Sequence, residues 1–160
     1  MKPFKTVDSS DLAFFESVMP GRVFAGEDIS PELHIDGIDS RTVSMVITLD
    51  DLDHPVKLNY SHWVAWNLPP VSVLPEALPA GAVIDQPLHM QQGVGFGRHV
   101  YRGPKPPLRW KHQYLFTLYT LDTVLDLSPE ADRLQVTQAM EGHILQQTGL
   151  MVKYQKGHKE

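Results

Sequence analysis

The clearest pattern along the chain is the alternation of hydrophobic and polar residues in short segments. From Thr42 to Leu49 every second residue is large and apolar, which is the period-2 pattern of a β-strand. The segments His62 to Leu68 and His112 to Leu121 are rich in aromatic and β-branched residues and predict two more strands. Gly149 to Tyr154 predicts a short final strand. The chain is therefore predicted to be rich in β-structure.

Helical patterns are scarce and occur in two segments. The Ser-Pro-Glu sequence at residues 128–130 offers a capping hydroxyl, a proline suited to the first turn and an acidic residue for the positive end of the helix dipole. We predict a helix from Ser128 to about Gln147, and one or two further turns over Asp8 to Phe15. The apolar residues that recur at helical spacing in the longer segment are predicted to contact the core: Val136, Met140 and Ile144.

Turn-forming residues separate these elements. Thirteen prolines and eleven glycines between short strands favour a β-sandwich over a helical bundle or a βαβ array. The connection from Val71 to Gly93 is too long for a hairpin loop, and segments of this kind wrap the surface or shape a site. A chain of 160 residues, 42% of them hydrophobic, can bury one core, so we predict a single domain over residues 1–160.

Composition excludes several function classes. The net charge of −5 leaves no large cationic surface for nucleic acid or for an anionic membrane. The absence of cysteine rules out disulfides, thiol nucleophiles and thiolate metal sites. Because no segment approaches the roughly 20 apolar residues that span a bilayer, and no secretory signal is visible, we expect a cytoplasmic protein without integral membrane association.

Polar groups recur at the ends of the predicted strands. Asp51 continues the apolar face that begins at Val43, and by the same parity His62 shares the face of Val64 and Trp66. In the third strand, His112 and Tyr114 begin an otherwise apolar face. We expect the three strand ends to meet at one rim. Two imidazoles, a phenol and the backbone N–H groups of the nearby glycine-proline loop would offer an oxyanion several hydrogen-bond donors.

Four short motifs lie at these strand ends. Residues 51–55 (Asp-Leu-Asp-His-Pro) are similar to a D-P-D-x-P segment and His62-Trp63 to an H-W segment. Gly103-Pro104 is similar to a G-P segment, and residues 112–114 (His-Gln-Tyr) to an H-x-Y segment. With further matches such as Gly-Glu-Asp-Ile-Ser-Pro at residues 26–31, this ordered series resembles the phosphatidylethanolamine-binding protein family, in particular its bacterial Raf-kinase-inhibitor-like branch.

The resemblance implies a fold and a site. The implied fold is a Greek-key β-sandwich of two antiparallel sheets with one or two peripheral helices. The implied function is non-enzymatic binding of a small anionic ligand (phosphate, a carboxylate or a phospholipid head group), with no cofactor and no metal. A protein partner, such as a kinase regulated through the pocket, and a homodimer are further implied possibilities. The implied ligand-binding residues are Asp51, Asp53, His62, Gly103, Pro104, His112 and Tyr114.

Departures from the family pattern fall around the predicted pocket. Leu52 stands where the family has a proline, so the turn after Asp51 loses a fixed φ angle. His54 adds a titratable group to the same turn, and residues 109–111 form a bulky, cationic segment before His112. These changes leave the predicted pocket residues in place but alter its entrance.

Three alternatives remain open. A phosphoester hydrolase could use His62 or His112 as general acid–base with Asp51 orienting the imidazole. The same three side chains could bind zinc, although no local metal motif is present. An oligomeric scaffold with a vestigial pocket is the third, for which Trp110 is the one hint of a contact surface. The glycine-rich segment Gly93 to Gly97 lacks the Gly-Lys-Ser/Thr ending of a nucleotide-binding loop.

Overall fold

The computed structural model describes residues 13–16, 28–54, 60–103 and 111–155. Trp110 and the rest of segment 104–110 lie outside these ranges. Within them the chain forms nine strands and one helix. In chain order these are β1 (Ala13–Glu16), β2 (Leu33–Asp36), β3 (Ser44–Asp51), β4 (Tyr60–Leu68), β5 (Val73–Leu74), β6 (Val83–Ile84), β7 (Met90–Gln92), β8 (Lys111–Leu121), α1 (Arg133–Met140) and β9 (Ile144–Gln155).

The strands form two antiparallel sheets. One has three strands in the order β1-β2-β5, and the other has six in the order β6-β7-β4-β3-β8-β9. All neighbouring strands pair antiparallel. The prediction of a mostly-β fold with two antiparallel sheets is therefore confirmed.

The alternation of apolar and polar residues predicted the positions of the long strands to within two residues at each end. The strands predicted at residues 42–49, 62–68 and 112–121 are found at 44–51, 60–68 and 111–121. The predicted last strand at 149–154 is the second half of β9, which begins at Ile144 and pairs along its whole length with β8.

The predicted helix is wrong at both ends. Its N-cap is Asp132, whose carboxylate accepts the N–H of Gln135 (2.9 Å) while the Gln135 side chain accepts the N–H of Asp132 (3.0 Å). Ser128 instead closes a turn before the helix, since its carbonyl accepts the N–H of Ala131. The helix ends at Met140 because Gly142 adopts a φ of 80° and starts the turn into β9.

The N-terminal helical prediction also fails where it can be checked. Residues 13–15 belong to β1, while residues 8–12 lie outside the described part of the chain. The extended form is fixed by pairing, because Ala13 lies opposite Asp36 and Glu16 opposite Leu33 in β2. Among the described residues, no helix is both long enough and apolar enough to cross a membrane.

The six-stranded sheet has a core on each face. One face of β3, with Met45, Ile47 and Leu49, packs against Leu33 and Ile35 of the three-stranded sheet. The second core lies under the helix, and its members are Val46, Val64, Trp66, Tyr119, Leu121, Leu125, Ala131, Val136 and Met140. The prediction that Val136, Met140 and Ile144 contact the core is confirmed, although Ile144 is only partly buried and lies on β9. Because β3 is covered on both faces, Asp51 at its end is held by a well-packed strand.

Candidate functional site

The ends of β3, β4 and β8 meet, as the strand patterns predict. Asp51 lies opposite Tyr60 of β4 and opposite Tyr114 of β8. The Nδ1 atom of His112 lies 2.8 Å from Oδ2 of Asp51, and both side chains are only 4% exposed. Since the partner of this ring nitrogen is a carboxylate, Nδ1 carries the hydrogen and donates it.

His62 joins this group through a β-bulge. Leu49 pairs with Trp63 and Asp50 with Ser61, so His62 is an extra residue in β4. A bulge of this kind places two consecutive residues opposite one partner residue and re-aims a side chain. The His62 ring accordingly packs edge-on against Tyr114, with 5.4 Å between ring centroids.

The parity prediction for His62 is therefore wrong, although the predicted meeting of side chains is seen. Val64 and Trp66 belong to the core under the helix, on the opposite face of the sheet from Asp51. A regular strand would have put His62 on their face. The extra residue in β4 instead places the His62 side chain on the face that carries Asp51. The four side chains brought together here, which we call the strand-end cluster, are Asp51, His62, His112 and Tyr114.

The hydrogen bonds of His62 fix its tautomer. Its Nδ1 lies 3.2 Å from the carbonyl oxygen of Arg102 and 3.1 Å from that of Gly103. Carbonyl oxygens only accept, so Nδ1 must carry the hydrogen. Burial lowers the pKa of His62 below its ordinary value, which favours the neutral ring. In that form the remaining nitrogen, Nε2, is an acceptor.

The loop that receives His62 is held by an aspartate that the sequence analysis did not select. Asp28 accepts the N–H of Gly103 at 3.2 Å and the guanidinium of Arg102 at 2.7 Å. The expectation that this loop offers its backbone N–H to an anion is therefore wrong for Gly103, whose N–H is already donated. Pro104 lies outside the described residues. The Gly-Glu-Asp-Ile-Ser-Pro match at 26–31 was the signal that could have identified Asp28.

Asp53 supports the cluster from the turn after β3. Its N–H donates to Oδ1 of Asp51 (2.9 Å), and its carboxylate accepts the N–H of Gln113 (2.6 Å). Leu52 donates its N–H to the carbonyl of Gln113 at 2.9 Å, a bond that a proline could not make. Although Leu52 departs from the family's proline, the turn after β3 is therefore held to β8 by this additional hydrogen bond. A direct contact of Asp53 with a ligand stays a prediction.

Aromatic rings flank the cluster on the β4 side. The Phe96 ring lies 5.0 Å from His62 and 5.8 Å from Tyr60, and Tyr60 lies 4.5 Å from His54. Phe96 is 43% exposed, so it stands between the cluster and solvent. Sequence reasoning did not select Phe96 or Tyr60, because neither belongs to a strand-end polar pattern.

The glycine-rich segment places Phe96. The N–H of Phe96 donates to the carbonyl of Ser61 at 2.7 Å, and a Cβ on Gly95 would lie 2.8 Å from that carbonyl oxygen. The absence of a side chain at Gly95 therefore permits this close approach. The segment forms a wall beside His62.

The cluster has a defined chemical character. No hydrogen bond joins Nε2 of His62 or of His112 to another described residue. Across the described ranges, no three His, Cys, Asp or Glu side chains are grouped so that they could hold a metal ion. The arrangement thus offers two buried imidazole nitrogens beside a carboxylate, which suits recognition of a small polar ligand.

Comparison with known proteins places these features in context. The family model for phosphatidylethanolamine-binding proteins matches residues 12–155. A UPF0098 protein of Pyrococcus horikoshii is 44% identical over 133 residues, or 82% of this chain and 67% of that protein. The UPF0098 protein YbhB of Escherichia coli is 37% identical over 66% of this chain and 67% of its own length. The crystal structure of a putative PEBP homologue, CT736 of Chlamydia trachomatis, superposes with a TM-score of 0.76 at 29% identity, covering 95% of this chain and 100% of that one.

Proposed function

We propose that this chain, which belongs to the phosphatidylethanolamine-binding protein family, is a non-enzymatic receptor for a small phosphoryl or carboxylate anion bound at the strand-end cluster. Family membership supports a ligand-binding or regulatory role. The observation that carries the finer proposal is the pair of buried imidazoles, each held through Nδ1 and each with Nε2 left for a ligand.

One feature of the cluster supports binding without covalent turnover. The His112–Asp51 pair resembles the orienting half of a general-base arrangement. In the described part of the chain, however, no side-chain hydroxyl hydrogen-bonds to either imidazole, so neither is paired with a side-chain nucleophile. The exposed ring of Phe96 beside the cluster also suits a protein partner that senses whether the site is occupied.

His112 should contribute to anion binding because it pairs with Asp51 beside the ligand. We expect orthophosphate, O-phosphoserine and acetate to cause saturable NMR shifts at the amides of Asp51, Gly103 and Tyr114. The hydrogen bond from His112 to the Asp51 carboxylate contributes roughly 1.5–3 kcal/mol, and without it the carboxylate would face the anion unpaired, so His112→Ala should weaken binding by about 10- to 100-fold. The matched control is His89→Ala, which removes an exposed histidine that pairs only with Asp85.

Two results would contradict this proposal. One is the absence of saturable shifts near the cluster, and the other is unchanged binding in His112→Ala. Release of phosphate from a phosphomonoester such as p-nitrophenyl phosphate, lost in His112→Ala and retained in His89→Ala, would instead identify a hydrolase.

A further inference from the structure

The two imidazoles of the strand-end cluster are oriented in a way that limits which ligands they can bind. Each uses its Nδ1 hydrogen on a protein acceptor: His62 on two backbone carbonyls and His112 on Asp51. A neutral histidine has one N–H donor and one acceptor nitrogen. When both rings are neutral, both Nε2 atoms are therefore acceptors. Together with the Asp51 carboxylate they repel an anion.

We propose that the cluster binds its anion only together with a proton taken up by His62, and that its ligands are singly charged oxyanions such as phosphodiesters and carboxylates. This inference rests on the proposed function and specifies its ligand class. Protonation converts Nε2 of His62 from an acceptor to a donor. The proton and the anion are then mutually stabilising, because each is unfavourable alone in this buried place.

Proton uptake at His62 depends on anion binding, because both direct hydrogen-bond partners of its ring are neutral carbonyl groups, and the bound anion supplies the counter-charge that a cationic ring needs. The Nδ1 hydrogen of His62 is shared by two neutral carbonyl groups, and the residue is 4% exposed. Burial lowers its pKa, so without an anion the neutral form prevails. The titratable and charged groups packed around it are Asp51 and His54 from β3 and its turn, Tyr60 from β4, His112 and Tyr114 from β8, and Arg102 with its partner Asp28 from the loop.

The fixed carboxylate sets the preferred charge of the ligand. Asp51 is 3% exposed, so water screens it poorly. One proton on His62 offsets one negative charge brought in by the ligand. A dianion would bring a second, uncompensated negative charge next to Asp51. We therefore expect discrimination against dianionic phosphate monoesters.

The test is isothermal titration calorimetry with dimethyl phosphate, which stays singly charged between pH 5 and 8. Titrations at one pH in two amine buffers of different ionisation enthalpy give the number of protons taken up. We expect net uptake approaching one proton near neutral pH, and an affinity that falls about tenfold per pH unit above the folded-state pKa of His62. Acetate tests whether a carboxylate binds in the same way. Methyl phosphate tests the effect of a second negative charge. Because it becomes a dianion above about pH 6, it should bind progressively worse than dimethyl phosphate as the pH rises.

The variant His62→Gln tests whether His62 is the group that takes up the proton. The amide of His62→Gln can donate to a ligand without titrating, so we expect weaker binding without proton uptake or pH dependence. His89→Gln is the matched control and should behave as the wild type. ¹H–¹⁵N spectra check that each variant folds, and the two-buffer measurement on the wild type needs no variant.

The calorimetry separates failure of the anion site from failure of the proton coupling. If dimethyl phosphate, acetate and methyl phosphate all fail to show saturable heat even at pH 5.5, the proposed function itself fails. If methyl phosphate alone binds, the anion site stands and the preference for singly charged ligands is overturned. If dimethyl phosphate and acetate bind with equal heats in both buffers and a flat pH profile, the anion site stands and the proton coupling is overturned. Uptake that persists in His62→Gln overturns the assignment to His62.

Discussion

At the scale of single residues, Asp50 and Asp51 show how one peptide step changes the environment of a carboxylate. Asp51 belongs to the strand-end cluster, where it accepts hydrogen bonds from His112 and from the N–H of Asp53. Asp50 lies on the other face, where its Oδ2 is 3.5 Å from Nε of Arg133 and its Oδ1 has no partner among the described residues. Burial raises the pKa of Asp50 to about 6, and the charge of Arg133 offsets this only in part.

Asp50 should therefore make stability depend on pH. Because its folded-state pKa lies above the ordinary value of 3.8, its contribution is fully present below about pH 4 and is lost as the pH rises through about 6. At pH 7.5, Asp50→Asn should raise the free energy of unfolding by up to about 3 kcal/mol and remove the decline between pH 4 and 6. Urea unfolding across this range measures both effects.

An exposed aspartate provides the control for this prediction. Asp126→Asn should leave the pH profile unchanged, because Asp126 lies at the surface. An Asp50→Asn protein that is no more stable than the wild type at pH 7.5 would show that the ion pair with Arg133 outweighs the cost of burial.

Sequence reasoning at this scale succeeded where a side chain continues a strand pattern. Asp51, His112 and Tyr114 could be placed from periodicity because β3 and β8 pair in regular register at that end. Asp28, Tyr60 and Phe96 could not be placed this way. Their positions depend on contacts between segments distant in sequence, which alternation does not encode.

At the scale of elements, β4 combines regular pairing with two irregularities. Besides the bulge at His62, its register shifts again between the partners of Met45 and Ile47. Asn67 lies there with a φ of 59°, a left-handed conformation that asparagine tolerates better than most residues. Its side-chain amide donates to the carbonyl of Leu125 (2.8 Å) and accepts the N–H of Leu125 (2.8 Å). This reciprocal pair fastens β4 to the loop after β8.

We expect Asn67→Ala to cost about 2–4 kcal/mol of stability. The substitution leaves the N–H and carbonyl of Leu125 without their partner and puts alanine in a left-handed conformation. Asn67→Gly keeps the backbone conformation but not the bonds, so it separates the two contributions. Urea unfolding measures the change. An Asn67→Ala protein as stable as the wild type would mean that the loop finds other partners.

The elements that the sequence failed to predict share a physical cause. The strands β5, β6 and β7 have two, two and three residues, which is too short for a period to appear. The start of β9 was assigned to a helix because Ile144 continues a helical spacing. Pairing with Leu121 of β8 decided otherwise, which is a tertiary contact overriding a local preference.

At the scale of the whole molecule, cooperativity should centre on β3. It pairs with β4 on one side and β8 on the other, and its two faces contribute to the two separate cores. In native-state hydrogen exchange the amides of β3 and of the adjoining part of β8 should exchange slowest, at rates set by global unfolding. The short strands β5 and β6 should exchange much faster. Equal protection in β3 and β6 would contradict this assignment.

The extra residue in β4 also sets a rule for moving this site to another protein. If the cluster were transplanted on to two regularly paired strands, His62 would face the opposite side of the sheet from Asp51, however well each residue was matched. A graft must therefore copy a length mismatch of one residue as well as the residue types. In this fold, the one-residue bulge in β4 is itself part of the strand-end cluster.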